Sequence, residues 1–170
     1  MSKRDVLLES LERFYKDHPD KASLFLKYSS RDSLVSLRLL DWFVTNYAKK
    51  HNVTYSTGPD QSFNVFMDYK SQLKAYSKRF FDPFCRRDRV TVTILDTSLE
   101  TTVGQMNFFK WALLHGIVDY VIQKRIEIDT DMLCSSKVRD QKAKDQKRHE
   151  LSTAAIKSCT RTYCHVTVRF

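Results

Sequence analysis

Apolar residues at Val6, Leu7, Leu8, Leu11, Phe14 and Tyr15 follow the three-and-four spacing of one helical face, opposite a polar face of Lys3, Arg4, Glu9, Glu12 and Arg13. Ser2 is placed to cap this helix, and Asp17, His18 and Pro19 to close it. A second helix is expected from near Ser30 or Asp32 through Leu34, Val35, Leu37, Leu39, Leu40, Trp42, Phe43, Val44 and Tyr47. It ends at Lys49, Lys50 and His51, cations that suit a helix C-terminus. Its apolar residues cover too much of the circumference for a surface helix, so it reads as the central core helix. Residues 53–62, VTYSTGPDQS, contain Gly58 and Pro59 and read as an exposed loop or arm. Phe63, Phe66, Tyr69, Leu73, Tyr76 and Phe80 then repeat the helical spacing until Asp82 and Pro83 stop it. Val90, Val92 and Ile94 alternate with Thr91 and Thr93, the pattern of a strand.

The most apolar stretch, residues 101–123, is interrupted near His115 and Gly116 and reads as two helices. Residues 137–157 switch to a charged helix with apolar positions near Leu151, Ala155 and Ile156. At the end, Val166 and Val168 alternate with Thr167 and Arg169, a short strand. Only three Gly and three Pro occur in 170 residues, well below the averages of about 7% and 5%, which argues against turn-rich sandwiches and barrels. The hydrophobic share of 42% excludes wholesale disorder. The expectation is a single α+β domain over residues 1–170, mainly helical, with about five or six helices and two or three short strands. The core is expected on residues 34–47 and 103–122, with strands at 90–95 and 164–170 available to pair. No apolar run approaches the roughly 20 residues that cross a bilayer, and the first helix lacks the apolar centre of a signal peptide, so an intracellular, soluble chain is expected.

Candidate chemistry is sparse. Cys85, Cys134, Cys159 and Cys164 are too few for a disulfide scaffold and read as free thiols. Cys159, Cys164 and His165, with Cys134 or His149, are the closest approach to a zinc set, but no C-x-x-C knuckle is present and Cys164 and His165 are adjacent. Three glycines cannot build the nucleophile-elbow, P-loop or dinucleotide fingerprints, and none of His18, His51, His115, His149 and His165 lies in a catalytic motif. Asp129 and Asp131 would suit a hard cation or a solvated turn, and the turn is preferred. A non-catalytic protein with no metal and no cofactor is therefore expected.

The charge balance adds the one strong local feature. The formal charge is +9, which attracts nucleic acid, anionic membrane or acidic protein without choosing among them. Lys70, Lys74, Lys78, Arg79, Arg86, Arg87 and Arg89 crowd one stretch, interleaved with Tyr69, Tyr76, Phe80, Phe81 and Phe84 and opposed only by Asp82 and Asp88. Two readings follow. The cations neutralise phosphates while the rings stack on unpaired bases, or the rings form core and the cations meet acids of a neighbouring chain; the second is preferred, because rings at helical spacing are usually core. A secondary basic face, Lys142, Lys144, Lys147 and Arg148 with Lys137 and Arg139, is offset by Asp140, Asp145 and Glu150 and resembles a solvated helix.

Three blocks of wording carry a resemblance: FNVFMDYKSQLKAYSKRFFDPFCRRDRV at 63–90, ETTVGQMNFFKWALLHGIVDYV at 100–121, and KRHELSTAAIKS at 147–158 with the alternating end. They resemble a small protein of the nucleocytoplasmic large DNA viruses, in the iridovirus and marseillevirus branches. The resemblance implies a viral protein made in the host cytoplasm and carried in the virion. From it follows the expectation of a minor capsid protein, a non-catalytic adaptor to the major capsid protein or other virion proteins. Arg86, Arg87 and Arg89 would then pair across subunits, the arm from Tyr55 to Ser62 would order on assembly, and the terminal strand would extend a neighbour's sheet. The alternative is a basic DNA- or RNA-binding protein of the viral core or transcription apparatus, with nucleic acid as the partner.

Overall fold

The computed structural model describes residues 2–30, 33–58 and 61–145. The chain divides into two units, Met1–Cys134 and Ser135–Phe170, and the fold that follows is that of the first. The expected strand at 164–170 and the charged helix beyond residue 145 lie outside the described residues, as do Lys147, Arg148, His149, Cys159, Cys164 and His165.

The first helix, α1 (Lys3–Asp17), opens on a capping box: Ser2 Oγ accepts the Asp5 N–H at 3.2 Å, and Asp5 Oδ2 accepts the Ser2 N–H at 3.0 Å. α1 ends at Asp17 with His18 as its C-cap, where Asp17, His18 and Pro19 were expected to close it. Pro19 is also the first residue of a further helix, α2 (Pro19–Ser29), where its missing N–H is not needed and its fixed φ already suits a helix. Ala22, Phe25 and Tyr28 of α2 are buried. The third helix, α3, therefore begins later than expected, at Leu37, where Ser36 Oγ accepts the Leu39 N–H. Leu34, assigned to this helix from its apolarity, lies before it and is 60% exposed. α3 runs through Leu37–Trp42, a π-helical turn at Phe43–Tyr47, and Ala48–Lys50, with Leu39, Leu40, Phe43, Val44 and Tyr47 buried.

The expected exposed loop at 53–62 is instead an antiparallel hairpin of β1 (Thr54–Gly58) and β2 (Gln61–Asn64), paired Tyr55 to Phe63 and Ser56 to Ser62. Its physical cause is apolar docking: Val53 and Phe63 are buried, Tyr55 Oη donates to the His115 carbonyl at 2.8 Å, and Phe63 stacks on the His115 ring at 4.3 Å. Asn64 then caps α4 (Val65–Phe80) by accepting the Met67 N–H. Ser77, at φ 58 and ψ 169, breaks α4 in its last turn.

The strand expected at 90–95 is β3 (Arg89–Ile94). It pairs with β4 (Thr97–Thr102) through a tight turn at Leu95 and Asp96, both at positive φ. Thr101 and Thr102 thus belong to a strand rather than to the helix read there. Thr102 Oγ1 accepts the Gln105 N–H and starts α5 (Val103–Leu114). α5, rather than α3, is the central helix: residues 103–109 are all buried, and it packs on α1, α2, α4, β4 and the following α6 (Ile117–Gln123). The break between α5 and α6 falls as expected at His115 and Gly116, the glycine taking the left-handed conformation at φ 66. The last helix, α7 (Arg125–Asp145), begins twelve residues before the charged helix read from sequence.

With seven helices and two antiparallel two-stranded sheets among the described residues, the fold is α+β and mainly helical, as expected, with more helices than the pattern indicated. No described helix is long and apolar enough to cross a membrane.

Candidate functional site

The basic stretch is held by the start of α5. Asn107 Nδ2 donates to the Phe80 carbonyl at 2.9 Å, and Gln105 Nε2 to the Pro83 carbonyl at 3.0 Å, while Thr101 Oγ1 donates to Gln105 Oε1 at 2.8 Å. The Asp82 N–H reaches the Gly104 carbonyl at 3.2 Å. Gln105, Asn107 and Thr101 are buried polar side chains whose hydrogen bonds are made within this clasp. Gly104 is required by the closeness of the two backbones, because a Cβ there would lie 3.0 Å from the Arg79 carbonyl oxygen. Two of the quoted blocks, 63–90 and 100–121, meet at this clasp.

Anchored in this way, the aromatic residues of the stretch turn inward. Phe81 is 1% exposed and packs on Tyr69, Phe108 and Trp111 with ring centroids 5.3–5.9 Å away. Phe80 and Phe84 are half-buried, and each is covered by an arginine of the same chain, Arg79 at 5.5 Å and Arg86 at 4.5 Å. Tyr76 is half-buried and stacks on Phe81. No ring of the stretch is an exposed stacking platform.

The cations separate into two groups. Arg86 clamps Asp82 through Nε and Nη2 at 3.0–3.2 Å, Arg79 pairs with Asp88 at 3.1 Å, and Arg89 pairs with Glu100 across the β3–β4 hairpin at 3.2 Å. Arg86 and Arg89, expected to pair with a neighbouring subunit, hold acids of this chain, brought there by the turn at 81–88 and by strand pairing. Lys70, Lys74, Lys78 and Arg87 are exposed, and none has an acid within 4 Å among the described residues. Asp68, the one acid on α4, is engaged instead by Trp111 Nε1 at 2.5 Å. Lys70 and Lys74 are one turn apart, on the face that also exposes Ser71 and Met67, the latter 66% exposed. Lys78 follows the break at Ser77, and its charge acts with that of Arg86 on Asp41. Burial, aided by Asp82, still raises the Asp41 carboxyl above its ordinary range.

Of the secondary basic face, Lys142 and Lys144 fall on α7. Cys85 is half-buried, and burial pushes its thiol up, away from a reactive thiolate; Cys134 is an exposed free thiol. Among the described residues no three His, Cys, Asp or Glu side chains come together as metal ligands.

A second polar cluster is invisible in the sequence. Asp131, expected on a solvated turn with Asp129, sits inside α7 with its side chain 9% exposed, accepting from Trp42 Nε1 at 3.1 Å and from Lys50 Nζ, with His51 Nε2 at 4.0 Å. Burial raises its pKa, but the hydrogen bonds from Lys50 and Trp42 and the charges of Lys50 and His51 outweigh burial, and the net shift is downward. Asp129 faces Arg125 at 3.9 Å. The turn reading fails because α7 starts at Arg125, ahead of the switch to dense charge.

Comparison with known proteins places this geometry in a lineage. The chain is 34% identical over 157 residues to "Uncharacterized protein L507" of Acanthamoeba polyphaga mimivirus, covering 87% of this chain and 61% of that protein, so it spans less than two thirds of the relative's length. The large DNA virus origin implied by the quoted blocks agrees with that relative. No solved structure matches. The match to the family of unknown function DUF7197 extends over residues 1–163, and the chain belongs to that family.

Proposed function

We propose that the chain is a non-catalytic virion component of a large DNA virus, an adaptor that joins the major capsid protein or another virion protein through the exposed face of α4. The observation that carries this reading is that Met67, Lys70, Ser71 and Lys74 are exposed along one face, while the helix's own acid is engaged by Trp111. Two ammonium groups with no acid within 4 Å among the described residues, beside a flexible apolar thioether, suit an acidic protein surface: the charges steer and set register, and the methionine fills an irregular apolar contact. A nucleic-acid reading calls for guanidiniums free to clamp phosphates and rings free to stack on bases. Here three of the four arginines hold internal acids and every ring of the stretch is buried or half-buried.

Zero-length carbodiimide cross-linking of purified particles of the encoding virus tests the proposal, because it joins an amine only to a carboxylate in contact with it. The expected result is Lys70 or Lys74 joined to an Asp or Glu of a capsid or other virion protein. A chain missing from the particles, or one whose lysines react only within the chain, overturns it.

A further inference from the structure

Among the described residues the β3–β4 ribbon leaves one edge of β3 unpaired, and the turn geometry shows which groups line it. Leu95 and Asp96 both have positive φ and join Ile94 to Thr97, the two-residue type I′ hairpin in which the flanking residues exchange both of their hydrogen bonds. Antiparallel bonding then alternates, so Val90, Val92 and Ile94 bond to β4 while Arg89, Thr91 and Thr93 direct their N–H and C=O groups away from it. Among the described residues, nothing bonds the outward backbone groups of Thr91 and Thr93. Neither position carries a proline, a charge or a bulge to discourage a third strand.

That edge borders a groove of about 850 Å³. Its wall on one side is residues 91–96 in unbroken succession, with none from β4, and on the other side α1, with Tyr15 at the floor and Glu12 and Lys16 at the rim. An unbroken run contributes residues from both faces of the strand, so the groove lies along the hydrogen-bonding edge. Glu12 and Asp96 line it without a cation within 4 Å among the described residues. Six strand residues extend about 20 Å, enough for an added strand of similar length.

We propose that this edge receives residues 165–170 of a second copy of the chain as a third strand, linking copies by strand exchange. The proposal rests on the adaptor reading, since a repeated shell component is where such linkage is of use. The segment HVTVRF repeats the alternation of RVTVTI in β3. Laid along β3, Val166 and Val168 extend the buried face of Val92 and Ile94, and Thr167 and Arg169 join the exposed face of Thr91 and Thr93. Arg169 adds a cation to a lining of three acids, Glu9, Glu12 and Asp96, and two cations, Lys16 and the Arg13 that pairs with Glu9. Each copy gives a strand and receives one, so the contact either closes a pair or continues as a chain of copies.

Sedimentation velocity of the full chain over a concentration series tests the proposal, with two variants. Thr93→Pro removes an outward N–H without touching the β4 ladder, and Val168→Asp places a charge in the donated strand, outside the described fold. Wild type is expected to self-associate, and each variant to weaken association by about tenfold or more, with unchanged circular dichroism for Val168→Asp. Mixing the two variants should restore a one-to-one pair, since one keeps an intact donor segment and the other an intact edge. A wild type that stays monomeric, or association that Val168→Asp leaves unchanged, overturns the proposal. So does a monomer whose Thr91 and Thr93 amides are protected from exchange in wild type but not in Val168→Asp, which would mean docking within one copy. Failure here leaves the lysine cross-links of the adaptor reading unaffected, and failure of those cross-links leaves this association measurable.

Discussion

Gly104 has no side chain because the Arg79 carbonyl occupies the space where one would begin, and the neighbouring Gln105 and Asn107 spend their hydrogen bonds on the same backbone segment. Gly104→Ala is expected to cost about 1–3 kcal/mol, the usual range for overpacking against groups that cannot move aside. Gly116→Ala meets no atom within 4 Å and carries only the left-handed strain of about 1–2 kcal/mol. Urea unfolding of both variants separates the causes, because added bulk at Gly104 should also disturb the near-ultraviolet signal of Trp111 and Gly116→Ala should not. Equal losses with unchanged aromatic spectra would contradict the clasp. At this scale the sequence was legible for Tyr69, which its three-and-four spacing places inside, and for Ser2, which caps as its position indicates, whereas at the end of that stripe Phe81 is buried and Phe80 only half-buried. The acids were not legible. Asp68 meets Trp111 across 43 positions and Asp131 meets Trp42 across 89, and no local pattern encodes partners so distant.

Among elements, α7 is tied to α3 through Asp131, with Ile128 buried beside it and Glu127 accepting from Tyr47 Oη at 3.4 Å. Asp131→Asn is expected to destabilise the fold by about 1.5–3 kcal/mol at neutral pH, the usual range for hydrogen bonds to a charged group, because the amide removes the charge that Lys50 and Trp42 bond to. Its pH dependence follows from the lowered pKa. The folded carboxyl titrates below its unfolded value of about 3.9, so its contribution is complete above that value and is lost as pH falls through the folded one. Urea midpoints at descending pH should therefore show the gap between wild type and Asp131→Asn closing in the acid range. A gap unchanged at the most acidic pH would place the stabilisation elsewhere. A smaller tie holds the β1–β2 hairpin, where Tyr55→Phe removes the bond to the His115 carbonyl and is expected to cost about 1 kcal/mol in the same assay. Strong period made α1, α4, β3 and the α5–α6 break readable. Where one residue type has two uses, the reading caught only one: Pro19 follows the end of α1 and also starts α2, and Gly58, read as part of a loop, is the last residue of β1.

Over the whole molecule, a charge of +9 is less informative than its distribution. Arg79, Arg86 and Arg89 staple the 79–102 segment internally, leaving Lys70, Lys74, Lys78 and Arg87 as the cations of the stretch with no acid within 4 Å among the described residues. The crowding of cations was plain from sequence, but which of them remain available depends on the turn at 81–88 and on the β3–β4 register. The central claim is that those available cations serve a protein partner. Its most direct test is a fluorescence titration of the full chain against short duplex and single-stranded DNA across a salt series, beside Lys70→Gln, Lys74→Gln, Lys78→Gln and Arg87→Gln combined in one chain. The account predicts no affinity beyond that of a protein of equal charge, and a log-log salt slope that the combined variant changes by less than the loss of one phosphate contact. A steep slope for the wild type that the variant flattens by about 0.9 per lost duplex contact would contradict it and assign the face to nucleic acid.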